Sequence, residues 1–165
     1  MRRLSAVLLV LLSGATPAIA RDSLGIFESW GAFRDPGGAK GPRCYAIAQP
    51  VVRRGQSPRG FASVGTWPRA RVRGQLHIRL SGPRAADAPV LLKVGERRFT
   101  LVAGQVDAWA ADARMDAQIV AAMRAAAGMS VASVGANGRG FADSYALRGA
   151  ATAIDAAALG CARGR

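Results

Sequence analysis

Few side chains in this sequence are of the types that usually carry out chemistry. The only histidine is His77, the two cysteines are Cys44 and Cys161, and ten Asp and Glu residues are scattered along 165 positions. The sequence has no C-x-x-C pair, no H-E-x-x-H motif, no G-x-S-x-G elbow, no P-loop and no G-x-G-x-x-G turn. It therefore predicts no metal site and no cofactor, and it disfavours an enzyme.

His77 lies in the segment 75–80, in which apolar and polar residues alternate as in a half-buried strand. Leu76, Ile78 and Leu80 share the apolar face, so His77 is placed on the polar face, where we expect it to be solvated. No carboxylate lies near it in sequence to orient it as a base.

Carboxylates offer a second route to catalysis. Asp107, Asp112 and Asp116 could do acid–base work if the fold brought them together. For Asp112 and Asp116 a simpler interpretation is an N-cap and a first-turn charge of a helix. The alternative to a non-catalytic protein is thus a small hydrolase that uses His77 or a carboxylate cluster, which the signal-peptide pattern of residues 1–20 would place in the periplasm.

Basic residues are concentrated in one part of the chain, whose formal net charge is +13. Between Asp35 and Asp87 there is no acidic residue but there are ten basic ones. A region of one sign attracts polyanions in a salt-dependent way. The residues predicted to form a possible anion-binding face are Arg53, Arg54, Arg59, Arg69, Arg71 and Arg73. The excess could also be compositional, because arginine and alanine are abundant throughout.

Anionic lipid, lipopolysaccharide or another envelope protein would suit such a face. We do not expect nucleic acid as a partner, although Tyr45, Phe61 and Trp67 lie among the arginines. These three aromatic residues occupy apolar strand positions, so we expect them to pack in the core. Trp30 and Trp109 are likewise expected in the core or at a sheet edge. The sequence gives no indication of the oligomeric state.

Residues 1–20 have the pattern of a secretory signal peptide, with two arginines, an apolar run over 4–12 and the cleavage motif Ala18-Ile19-Ala20. The apolar run is shorter than the roughly 20 residues needed to span a bilayer. We therefore expect a periplasmic or secreted protein with no transmembrane segment after cleavage, and a single domain over 21–165.

Cys44 and Cys161 are predicted to form a disulfide, because an exported chain meets an oxidising compartment. Such a bond would join the first hairpin to the last helix and close most of the mature chain into one loop. Chain entropy gives a loop of this length a stabilisation of roughly 4–5 kcal/mol. Two free buried thiols are the alternative.

Most of the chain has the period-two pattern of strands. The predicted strands and hairpins cover residues 23–30, 30–49, 61–67, 75–80, 89–102 and 129–147. In the first strand Leu24, Ile26, Phe27 and Trp30 are expected to point inward. Asn137-Gly138 predicts a type I′ turn in the last hairpin.

Two segments have helical spacing instead. The first covers 112–127, with Asp112 as N-cap and Gly128 as the glycine that stops it. The second is alanine-rich, covers 150–159 and places Cys161 on its apolar stripe. Together these elements predict a mainly β fold, an antiparallel β-sandwich or partly open barrel with two short helices near the C-terminus.

Two stretches resemble the invasion-associated locus B family of exported bacterial proteins. One is Trp30 with its hairpin and residues 43–49, RCYAIAQ; the other runs from Met123 through the Asn-Gly turn to residues 145–154, YALRGAATAI. The resemblance implies a small periplasmic or secreted β-rich protein without established enzymatic activity. The family is linked to host-cell entry in some pathogens, but no residue of a defined invasion site can be mapped onto this sequence.

The resemblance also bears on the cysteines. Members of the family carry a cysteine shortly after the first tryptophan, able to pair within the hairpin, and Arg34 stands near that position here. This departure implies Cys161 as the substitute partner of Cys44. The function expected from the sequence is therefore a non-catalytic envelope protein, a binding or structural module with a basic face.

Overall fold

The structure is a computed structural model that describes residues 21–37, 41–52 and 59–162. The predicted signal peptide and two residues of the predicted basic face, Arg53 and Arg54, lie outside these ranges. The described strands are β1 (Asp22–Phe27), β2 (Trp30–Asp35), β3 (Arg43–Ala48), β4 (Phe61–Trp67), β5 (Val72–Arg79), β6 (Val90–Val94), β7 (Arg97–Ala103), β8 (Asp107–Trp109), β9 (Gly128–Val134) and β10 (Gly140–Ala146). The described helices are α1 (Ala113–Ala125) and α2 (Ala150–Ala162).

All ten strands belong to one antiparallel sheet, in the order β1-β2-β3-β4-β5-β8-β7-β6-β9-β10. The sheet is not closed, but its two ends approach each other. Trp30 Nε1 donates to the carbonyl of Ala146 at 2.9 Å, and the N–H of Val51 donates to the carbonyl of Ser144 at 2.7 Å. The predicted mainly β fold, a sandwich or partly open barrel, is confirmed.

One hydrophobic core lies on the inner face of this curled sheet. Leu76 and Ile78 from β5 belong to the same buried cluster as Leu92 from β6 and Val131 from β9. Helix α2 packs across β2 and β3, and α1 packs on β5. The buried stripe of α2 is made of small residues and one larger one, which lets the helix come close to the sheet: Ala150, Ala153, Ile154, Ala157 and Cys161.

The predicted disulfide is confirmed. Cys44 in β3 and Cys161 in α2 are bonded across a sequence separation of 117 residues, and both are buried. The bond fixes the last turn of α2 to the first hairpin, as the positions of the two cysteines indicated.

Helix α1 begins as predicted and ends differently. The side chain of Asp112 accepts the N–H of Met115 at 2.7 Å, which confirms it as the N-cap. The prediction that Gly128 stops the helix is wrong, because Ala126 already leaves the helix in an extended conformation. No left-handed residue is needed there, and Gly128 instead begins β9.

The last hairpin forms, but the predicted type I′ turn is wrong. That turn needs positive φ at both central residues, and here Gly138 (φ 76°) has it while Asn137 does not. The N–H of Gly135 donates to the carbonyl of Arg139 at 2.8 Å, so the loop has three residues, with glycine in the left-handed position. Asn137 Oδ1 accepts the N–H of Arg139 at 3.0 Å, an interaction that holds this wider loop.

Several predicted inward positions face outward. Ile26 is 68% exposed, because the register of β1 against β2 shifts between Ser23 and Gly25, and this bulge interrupts the alternation. Leu24 and Phe27 are the residues of β1 that pack against the core.

The aromatic residues expected in the core, Tyr45, Phe61 and Trp67, are only half-buried. In β3 the residues on the inner face are small: Cys44, Ala46 and Ala48. These small residues admit α2, so the bulky side chains of β3 turn to the outer face of the sheet. Trp30, by contrast, is fully buried as expected.

Candidate functional site

The structure divides the predicted anion-binding arginines into separate places. Arg69 lies in a 3₁₀ turn, Pro68–Ala70, that joins β4 to β5, Arg71 follows directly, and Arg73 lies in β5. We call these three exposed residues the turn arginines. Arg59 precedes β4, and a strand of this length separates it from them by about 20 Å.

The backbone of Arg71 is in an uncommon conformation. Its φ of 56° is left-handed, which costs roughly 1–2 kcal/mol for a residue other than glycine. The N–H of Arg71 donates to the carbonyl of Pro68 at 3.1 Å and closes the 3₁₀ turn. The pairing of β4 with β5 is also irregular, with a register shift between Gly65 and Trp67.

Next to the turn arginines a cavity of about 820 Å³ lies between α1, α2 and the end of the β4–β5 hairpin. We call it the inter-helix groove. Its walls are mainly apolar and come from both helices: Ala117, Val120, Ala121, Ile154 and Ala158. Arg71 and Arg73 line it on the side of the sheet, and Cys161 brings the disulfide to its wall.

The arginines that line the groove differ in whether they are paired with a carboxylate. Arg124, which also lines it, binds Asp155 through two hydrogen bonds of 3.0 and 2.6 Å. The hydrogen bond from Arg124 lowers the pKa of the Asp155 carboxyl, so this pair stays ionised and neutral overall. Among the described residues, no carboxylate lies within ion-pairing distance of Arg71 or Arg73. The positive charge of the groove therefore comes from these two residues.

A second polar cluster surrounds His77 on the outer face of the sheet. Its Nε2 lies 2.9 Å from Oδ1 of Asp107, and Arg79 Nη1 donates to Oδ2 of the same carboxylate at 2.8 Å. The imidazole stacks on Trp109 at 5.3 Å between ring centroids and meets Phe61 edge-on at 5.2 Å. With 27% of its side chain exposed, His77 is held by neighbours and is not the freely solvated residue that the sequence predicted.

Sequence reasoning missed Asp107 as the partner of His77. The two residues are 30 positions apart, and β8 pairs with β5 although two strands lie between them in the chain. Burial disfavours the charged form of Asp107, but the hydrogen bonds from His77 and Arg79 outweigh it and lower the pKa of this carboxyl. No spacing in the sequence indicated this pair.

The predicted carboxylate cluster does not form around one site. Asp112 caps α1, while Asp116 is buried and accepts the N–H of Leu76 at 2.8 Å. Burial raises the pKa of Asp116. Ser63, beside His77, donates to the backbone carbonyl of that histidine and not to its imidazole. In the described ranges, no three His, Cys, Asp or Glu residues are grouped to hold a metal ion.

No protein-family model matches the chain, and no curated protein matches it. Among solved structures, the fold is similar to the crystal structure of invasion associated protein B from Bartonella henselae. The TM-score is 0.58 at 19% sequence identity, over 82% of this chain and 96% of that chain. At this identity the similarity shows a shared fold, in agreement with the resemblance noted in the sequence. Within the described residues, neither helix combines the length and apolar character required to span a bilayer.

Proposed function

We propose that this chain is an exported, non-catalytic binding module of the bacterial envelope, of the invasion-associated locus B type. In this proposal the turn arginines contact an anionic surface, either anionic lipid or lipopolysaccharide. The fold shared with invasion associated protein B supports the class of protein, and the arginines support the kind of partner.

The observation that carries the proposal is the exposure of three arginines in the turn between β4 and β5 and at the start of β5. Arg71 and Arg73 have no carboxylate partner among the described residues, so their charge is available to an external anion. The side chain of Arg69 lies against Gly41. An anionic surface would bind these exposed arginines in a salt-dependent way.

Export is supported by two features. The buried Cys44–Cys161 bond needs an oxidising compartment to form and persist. The pattern of residues 1–20, which lie outside the described ranges, is that of a signal peptide. Both features agree with a protein that acts beyond the inner membrane.

A hydrolase is the second candidate, and the His77–Asp107 pair favours it, because a carboxylate can orient a histidine as a base. A hydrolase would also need a nucleophile at the imidazole. Among the described residues, Asp107 is the side chain that hydrogen-bonds to it, and His77 does not line the inter-helix groove. The binding function is therefore the one that we propose.

Flotation of the mature protein with phosphatidylglycerol and phosphatidylcholine vesicles over a salt series tests the proposal. At about 1 kcal/mol for each basic residue near an anionic surface, the variant R69Q/R71Q/R73Q should bind phosphatidylglycerol roughly a hundred-fold more weakly. The matched control R98Q/R114Q/R139Q removes three exposed arginines elsewhere and should bind nearly as the wild type does. Equal loss in both variants, or binding that ignores salt, would show the proposal to be wrong.

A further inference from the structure

We propose that the inter-helix groove binds a single-chain anionic amphiphile of the fatty-acid type, with its alkyl chain between α1 and α2 and its carboxylate at Arg71 and Arg73. The inference deepens the proposed function and rests on it in part, because it names the ligand class that the same arginines would recognise.

The size and lining of the groove suit an alkyl chain. Its volume of about 820 Å³ lies within the roughly 300–1,000 Å³ typical of small-molecule sites. The two helices face each other here with small residues: Ala117 and Ala121 from α1, and Ala158 from α2. Because these side chains end at Cβ, the space between the helices stays unfilled. An alkyl chain in it would remove apolar surface from water on both helices.

Apart from Arg71 and Arg73, the groove offers little to a polar ligand. Its hydroxyl group, on Thr66, already accepts the N–H of Gly74 at 3.4 Å. Arg124 is engaged with Asp155 by two hydrogen bonds. A sugar or a peptide would leave its own donors and acceptors unpaired against these apolar walls, at a cost in binding free energy.

The charges of Arg71 and Arg73 favour a ligand with an anionic head group. Arg71 and Arg73 line the groove on one side and bring two positive charges with no carboxylate partner among the described residues. A carboxylate accepts two parallel hydrogen bonds from a guanidinium group, a strong and directional pairing. The left-handed backbone of Arg71 and the 3₁₀ turn before it hold that residue at the groove. An anionic head beside an apolar tail is the ligand that matches both features.

The experiment is titration calorimetry of the mature, oxidised protein with laurate below its micelle concentration. Butyrate supplies the head group without the chain, and dodecanol supplies the chain without the charge. We expect laurate to bind, and butyrate and dodecanol to bind at least about tenfold more weakly.

Two sets of variants test the binding of the alkyl chain and the binding of the carboxylate separately. A121L/A158L places larger side chains in the groove at exposed helical positions, where leucine is well tolerated, and A125L adds one on α1 outside the groove. A121L/A158L should reduce laurate binding about tenfold or more, and A125L should not. R71Q/R73Q should weaken binding about tenfold, and R98Q/R114Q should not. Circular dichroism and thermal melting confirm that each variant is folded.

The failure of this inference can be told apart from failure of the proposed function. A121L/A158L keeps all arginines, so it should still float with phosphatidylglycerol vesicles while losing laurate. Laurate binding that is unchanged in A121L/A158L, or no laurate binding by the wild type, would overturn the groove assignment and leave the vesicle result standing. Laurate binding with no vesicle binding would overturn the surface function and retain the groove.

Discussion

At the scale of single residues, strand pairing determines the environment of His77. The register sets His77 opposite Trp109 and Arg79 opposite Asp107, so that the imidazole, the indole and the carboxylate meet on the outer face of the sheet. Stacking on Trp109 restricts rotation of the His77 imidazole, and Asp107 accepts hydrogen bonds from both His77 and Arg79. This arrangement stabilises the ionised carboxylate, as the lowered pKa of Asp107 indicates.

The lowered pKa of Asp107 predicts a contribution to stability that depends on pH. Because the folded state favours the ionised form, the contribution is present above the ordinary Asp pKa of about 4 and is lost as pH falls through the lower folded-state value. The carboxylate is 23% exposed, so we expect an effect of at most about 1 kcal/mol. Urea unfolding at pH 7 and pH 3 should show that D107N loses less stability on acidification than the wild type.

Asp87→Asn is the control for this measurement, because Asp87 is exposed and has no ion pair among the described residues. D87N should follow the wild type between the two pH values. If D107N did so as well, the hydrogen bonds of Asp107 would have no net influence on stability.

At the scale of elements, Asp116 connects α1 to the sheet. Its Oδ1 accepts the N–H of Leu76 in β5, the strand on which α1 packs. The carboxylate is 6% exposed, and burial raises its pKa. The hydrogen bond stabilises the contact between helix and strand, while the buried charge opposes it.

Two substitutions at Asp116 separate these effects. D116A leaves the N–H of Leu76 buried without an acceptor and should reduce the free energy of unfolding by about 1–3 kcal/mol. D116N keeps an acceptor oxygen and removes the charge, so its loss at pH 7 should be smaller. Because the folded-state pKa of Asp116 is raised, the wild type loses the penalty of the buried charge as pH falls, so the stability deficit of both variants relative to the wild type should grow by the same amount. Equal losses at pH 7 would mean that the hydrogen bond contributes nothing.

The elements also show what sequence patterns can and cannot predict. Strand β4 covers the predicted residues 61–67, and α1 begins at its predicted cap, because both signals are local. Strand β8 was not predicted, since its three residues are too few to show a period. That strand brings Asp107 to His77, so the polar cluster could not be anticipated. The inter-helix groove depends in the same way on how two helices pack, which their separate patterns do not encode.

At the scale of the whole molecule, the following contacts are among those that join the N-terminal third of the chain to its C-terminal part. Trp30 donates to the carbonyl of Ala146, Val51 pairs with Ser144, and the Cys44–Cys161 bond fixes the end of α2 to β3. An open sheet has two free edges, and these contacts bring its two ends together around one core. Of the three, the disulfide constrains the unfolded chain as well as the folded one.

Removing the disulfide should therefore have the largest effect on stability. For a bond that spans 117 residues, chain entropy predicts a loss of roughly 4–5 kcal/mol in C44A/C161A, a large part of the 5–15 kcal/mol typical of a domain. Urea unfolding with and without dithiothreitol measures it: reductant should lower the midpoint of the wild type and leave that of the double variant unchanged. Since Cys161 also lines the inter-helix groove, C44A/C161A should bind laurate more weakly even where it is folded. A wild-type midpoint that ignores reductant would mean that packing alone holds α2 against the first hairpin.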